Sequence, residues 1–130
     1  MDQIEKDRQA VAAVVNEYYL GWLKMDAPRL KSIWKEDEGD LVYTALEMAR
    51  PMRDLATIKR YYVRAKKECE PPKEKSVNIL STQIIDDVAV TYFSWHYEFS
   101  FKKPRPAWAL PVELIVADGR ATLVLRRTAD

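Results

Sequence analysis

Three glycines, one cysteine and one histidine among 130 residues narrow the chemistry this chain can perform. The single Cys69 excludes an intrachain disulfide and a thiolate-based metal centre. It stands between Glu68 and Glu70, whose charges disfavour a thiolate, so it reads as a bystander thiol. A lone His96 cannot build a zinc centre, and Asp40, Glu47 and Glu113 lack the loop spacing of a hard-cation site. No metal and no cofactor is expected. No stretch approaches the roughly 20 apolar residues of a membrane span. The segment Met1–Arg8 is charged and has no apolar run of signal-peptide type, so a cytoplasmic protein is expected. Basic and acidic residues balance at 21 and 20, which gives no general attraction to nucleic acid or an anionic membrane, and neither is expected as a partner.

What is present belongs to a folded chain: 48% hydrophobic and 32% charged residues, without linker, repeat or low-complexity stretch, predict one domain over 1–130. Ile4, Val11, Val14, Val15, Tyr18, Tyr19, Trp22 and Leu23 recur at helical spacing and predict an amphipathic helix over 4–24. Asp26 before Ala27-Pro28 is an N-cap signal for a second helix carrying Leu30, Ile33 and Trp34, stopping near Glu38-Gly39. Residues 41–46 read as a strand, and 47–53, with Pro51, as an edge hairpin arm. Asp54 caps a third helix over 55–67 presenting Ile58, Tyr61, Tyr62 and Ala65, which Pro71-Pro72 closes off. Beyond it the chain is β in character. Strands over 76–85 and 88–101 are joined by Asp86-Asp87, and strands over 108–117 and 120–127 by the hairpin signal Asp118-Gly119. Helices followed by an antiparallel meander make an α+β domain.

Alternation in the long strands divides the sheet into two faces. Ala89, Thr91, Phe93, Trp95, Tyr97, Phe99 and Phe101 share one; Val88, Val90, Tyr92, Ser94, His96, Glu98 and Ser100 share the other. The ring-bearing face could lie against the helices, leaving His96 and Glu113 in solvent. The mixed face, however, also carries Val88, Val90, Tyr92, Ile115 and Val124. Both faces therefore ask for cover, and a homodimer is expected, with helices on one face and a second subunit on the other.

Two segments resemble a known superfamily: Tyr18-Tyr-Leu-Gly-Trp-Leu-Lys-Met-Asp26-Ala-Pro-Arg-Leu30-Lys-Ser-Ile-Trp34-Lys-Glu-Asp37, with Met25 where a glycine is usual, and Pro51-Met-Arg-Asp54-Leu-Ala-Thr-Ile58. With the order of elements, they resemble nuclear transport factor 2-like proteins of the SnoaL-like and ketosteroid isomerase-like kind. The resemblance implies a cone-shaped, curved antiparallel sheet wrapped around three helices. It places Tyr18 as donor to a ligand oxyanion, Tyr62 as its support and Glu113 as a second acid. The position of the usual aspartate base falls near Tyr43 or Thr44, so the base is missing. The same matching turns His96 and Arg126 inward and puts the homodimer on an outer face of Phe93, Trp95, Tyr97, Leu110 and Val112. His96 alone titrates near neutrality and is the candidate base. Arg126 would pair with Glu113 or clamp an acidic ligand; unpaired, Glu113 would be a protonated donor. Tyr62, Tyr92, Trp34, Tyr43, Ile115 and Arg126 are the expected ligand-binding residues. The expected function is a pocket for a small, mostly apolar, oxygen-bearing molecule, in an enzymatic version a cofactor-free isomerase or lyase. The alternative is a non-catalytic dimeric binding or assembly module whose cone is filled by its own side chains.

Overall fold

Asp2 starts the first helix: its carboxylate accepts from the Glu5 amide at 2.8 Å, and α1 runs over Gln3–Leu23. The structure, a computed structural model, describes residues 2–34, 42–45, 50–107 and 112–127. Asp37, Glu38, Gly39, Asp40, Glu47 and Leu110, named above, lie outside them, as do 41, 46 and 108–111 of the expected strands. After α1 the chain reverses through Met25 at φ 50°, the left-handed conformation that favours glycine, so this methionine holds a glycine's geometry. The tight crossing that follows uses Gly21, where an added Cβ would come within 2.6 Å of Leu30 Cδ2. Asp26 then caps α2 (Ala27–Ser32), accepting from the Arg29 amide at 3.1 Å. This helix is shorter than the sequence suggests. It ends so that Trp34 can turn its indole back and donate to the Tyr62 hydroxyl at 2.9 Å. Tyr43 and Met52 form an isolated antiparallel bridge; the other described residues of the expected strand and hairpin arm are irregular. Asp54 caps α3 (Leu55–Glu68) through the Thr57 amide.

The sheet is antiparallel in the order β1 (Glu74–Ile85), β2 (Val88–Phe99), β3 (Ile115–Arg126), with a register shift in β1 between Ile79 and Ser81. Asp86, at φ 54°, makes the turn expected at Asp86-Asp87. Asp118-Gly119 makes no turn. Both residues lie within one continuous β3 that pairs with β2 from Phe99↔Ile115 to Val88↔Arg126. The glycine answers a cross-strand demand: opposite Trp95, a Cβ at 119 would lie 2.6 Å from the indole Cε2. Of the strand expected over 108–117, residues 112–114 are irregular and strand structure begins at Ile115.

The ring-bearing face of β2 turns toward the helices, which corrects the orientation implied by the resemblance. Phe93 is 1% exposed and meets Tyr18 of α1 edge-on at 6.2 Å, beside the fully buried Thr91. The rings carry the larger apolar area, so burying them yields more hydrophobic free energy. The opposite face carries His96, Glu98, Asp118, Arg120 and Arg126, charges that remain cheap in water. At the helix end, Ala27, Leu30, Ala45, Met52, Ile58 and Tyr62 form a buried core flanked by Tyr18, Trp22, Trp34, Tyr43 and Tyr61.

Candidate functional site

Between α1, α3 and the inner sheet face lies a cavity of about 930 Å³. Its origin is visible in the pairing of β2 with β3: Phe93, Trp95, Tyr97 and Phe99 stand opposite Ala121, Gly119, Ala117 and Ile115. Three successive inward positions of β3 are thus too small to fill the space beside the rings. Nearer the hairpin, Thr91 and Ala89 face Leu123 and Leu125, and there the sheet's inner surface fills. The cavity wall is completed by Tyr18 and Trp22 of α1, Tyr61 of α3, and Tyr43.

Polar groups on this wall are few. The Tyr18 and Tyr43 hydroxyls are 3.0 Å apart and share a hydrogen bond. Burial, reinforced by the neighbouring phenols Tyr18, Tyr62 and Tyr61, holds the Tyr43 hydroxyl well above its ordinary pKa; burial likewise raises Tyr97 and Tyr62. These phenols are donors, not phenolates, at neutral pH. Toward the end of α3, Arg64 Nε contacts Glu68 Oε1 at 2.6 Å, with Cys69 and Glu70 beside them on the wall. Nothing in the described residues groups three histidine, cysteine, aspartate or glutamate side chains about a metal position.

Of the residues expected to form the site, Tyr18, Tyr43 and Ile115 line the cavity. Tyr62 is buried behind the wall, 1% exposed, and receives the Trp34 hydrogen bond; Trp34 packs on Tyr43 at 5.6 Å, so neither plugs the cone. His96, Tyr92 and Arg126 lie on the outer face, in register with outward positions of the neighbouring strands. His96 is no base for this cavity. Its Nε2 meets Glu98 at 2.9 Å and its Nδ1 meets Asp118 at 2.6 Å, and these bonds, Glu98's first, push its pKa up to about 9. Because each nitrogen faces a different carboxylate, the three groups cannot converge on one ion. Glu113 is exposed and contacts Lys103 at 3.4 Å and Arg105 at 3.7 Å. It does not pair with Arg126, which closes β3 at the far end, about 40 Å along an extended chain. Among the residues expected at the outer face, Phe93, Trp95 and Tyr97 are inside, Leu110 lies outside the described residues, and Val112 is exposed. Trp95, Tyr97, Phe99 and Tyr61 were not singled out as ligand contacts. The signal for them was the alternation Ala117-x-Gly119-x-Ala121 facing a run of rings.

No protein-family profile and no curated protein matches the sequence. Solved structures do match. A conserved protein from Planctomyces limnophilus superposes with a TM-score of 0.75 at 16% identity, covering 96% of this chain and 87% of that one. A nuclear transport factor 2-like superfamily protein from Salmonella enterica gives 0.75 at 13% identity over 98% and 84% of the two chains. This chain has the nuclear transport factor 2-like fold. A ketosteroid isomerase-like protein from Erwinia carotovora superposes with a TM-score of 0.71 at 13% identity, over 91% of this chain and 82% of that one. At such identities the nuclear transport factor 2-like cone is shared while its chemistry is not carried over, since this fold houses sites rather than a reaction. No helix among the described residues is long and apolar enough to cross a membrane.

Proposed function

We propose that the cone binds a flat, mostly apolar, uncharged small molecule whose carbonyl or ether oxygen accepts a hydrogen bond from the Tyr18–Tyr43 hydroxyl pair. The observation that carries this reading is the ring-walled space left by Ala117, Gly119 and Ala121. Its volume falls in the range of small-molecule sites, roughly 300–1,000 Å³. The upward pKa displacement of the surrounding phenols marks a low-dielectric interior that disfavours anions. Among the described wall residues the carboxylates are Glu68 and Glu70, and Glu68 is held by Arg64. Binding is therefore favoured over proton abstraction; in a reacting form the hydroxyl pair would polarise the ligand oxygen in isomerase- or lyase-type chemistry without a cofactor.

Trp22 and Trp95 in the wall make intrinsic fluorescence a direct readout, alongside a thermal-shift series of steroid, polyketide and terpenoid ketones. Binders should quench the tryptophans and raise Tm. Tyr43→Phe should weaken them by about 3–10-fold, one hydrogen bond of roughly 0.5–1.5 kcal/mol, and Ala121→Phe, which fills the space, should abolish binding. A cone that gives the same response with phenylalanine at 121 would refute this use of the cavity.

We propose as well that a second copy of the chain covers the outer face. Ile85 is 62% exposed, Val116 57% and Val124 69%, which is more apolar surface than one sheet face normally leaves in water. Charges are interleaved with these side chains, His96, Glu98, Asp118 and Arg120 toward one end of the sheet and Arg126 at the other, so a second copy has to meet a mixed polar and apolar face.

A further inference from the structure

Lys75 is a buried lysine on the inner face of β1, opposite Tyr97 in the register, and 7% exposed. Its Nζ donates to the Tyr19 carbonyl oxygen at 2.7 Å, while the Tyr19 hydroxyl donates back to the Lys75 carbonyl oxygen at 2.9 Å. The amine sits 4.4 Å from the centroid of the Tyr97 ring and 4.9 Å from that of Tyr19. Among the described residues no carboxylate pairs with it; the titratable side chains that face it are these two tyrosines, from β2 and α1. The Tyr97 ring is also cavity wall. The nitrogen is thus one aromatic ring away from the space where the ligand is placed.

We propose that Lys75 captures an aldehyde-bearing ligand of the cone as an imine, the Tyr97 ring turning aside to admit the carbonyl carbon. This rests on the cavity being a ligand site and narrows the ligand to an aldehyde. The step balances without a co-reactant. The free amine adds to the carbonyl carbon, the carbonyl oxygen takes one nitrogen-bound hydrogen, and the carbinolamine loses that oxygen with both hydrogens as water, leaving C=N. Burial supplies the free amine, because desolvation lowers the lysine from 10.5 to about 6. At pH 7 an exposed lysine is only about four parts in ten thousand unprotonated. The ring box has a second consequence: a lysine with no counter-ion needs no ion pair broken before it reacts.

The test treats the whole protein at pH 7 with 2-naphthaldehyde and sodium cyanoborohydride, and follows each lysine by peptide mass mapping. Lys75 should be alkylated at least about tenfold faster than any other lysine, and Tyr97→Ala, which removes the intervening ring, should speed it further. Binding is measured separately with 2-acetonaphthone, without reductant, by tryptophan quenching in wild type and Lys75→Met. Lys75 left intact, or modified no faster than exposed lysines, while 2-acetonaphthone still binds, overturns the capture and leaves the binding reading standing. If the ketone does not bind and Lys75 is not modified, both fall. Alkylation of Lys75 that Ala121→Phe leaves undiminished also overturns the proposal, since the aldehyde would then arrive from outside the cone.

Discussion

Replacing Gly119 by alanine sets a methyl group against the face of Trp95, 2.6 Å from Cε2. In an ordinary strand the change would stabilise by about 0.4–1 kcal/mol through the unfolded chain. Overpacking a filled contact costs about 1–3 kcal/mol, and with the neighbour a rigid indole this is the larger effect. Gly119→Ala should therefore lower stability by about 1–2 kcal/mol in urea unfolding, and Trp95→Leu should remove most of that penalty in the double variant. Equal stability of Gly119→Ala and wild type would show that the indole gives way freely. Met25 poses the converse problem. Glycine there would relieve a left-handed backbone costing about 1–3 kcal/mol, yet the side chain is buried at 6% exposure and loss of a buried methionine costs about 2–5 kcal/mol. Glycine also adds about 1 kcal/mol of backbone entropy. Met25→Gly should therefore destabilise by about 2 kcal/mol although glycine is the residue that this backbone conformation favours; a gain in Tm would show that strain dominates.

Element by element, the helix starts were legible because each is a local event. Asp26 and Asp54 both accept from the amide three residues on, and Pro28 and Pro71 punctuate the chain where expected. Asp26→Ala should cost about 1 kcal/mol, with Asp26→Asn recovering most of it; an alanine variant as stable as wild type would mean that α2 is held by Leu30 packing alone. The hairpin at Asp86-Asp87 was legible for the same local reason. Gly119 was not, because a glycine answering a ring on the next strand has the same sequence appearance as one answering a turn. The facing of β2 was illegible for a different reason: both faces carry apolar side chains, and only the cross-strand partners show which one has room beneath it. The Tyr18–Tyr43 hydroxyl pair joins residues on separate elements, and no local pattern encodes it.

Two groups on opposite faces of the sheet give the whole molecule opposing responses to pH. Lys75, lowered to about 6 when folded, holds its proton more tightly in the unfolded chain, so its contribution grows as pH rises from about 6 toward 10.5. His96, raised from 6.5 to about 9, contributes fully below 6.5 and loses that contribution as pH rises through 9. Between pH 6.5 and 9 the slopes oppose each other, and the wild-type stability profile should be flat. Lys75→Met should leave a profile falling with pH, and His96→Gln one rising with pH, the histidine effect shrinking in salt because its side chain is partly exposed. Parallel profiles for both variants would contradict the assignment. His96 lies on the face proposed to meet a second copy, among Val116 and Val124. Association there must bury roughly 1,200–2,000 Å² in total to persist, so the whole outer face has to be covered and not Val116 and Val124 alone. Sedimentation velocity at tens of micromolar should show a dimer, and Val124→Asp together with Val116→Asp should yield monomers that still quench with cone ligands. A wild-type monomer at that concentration, or a doubly substituted chain that sediments as before, would remove the second copy while leaving the cone intact.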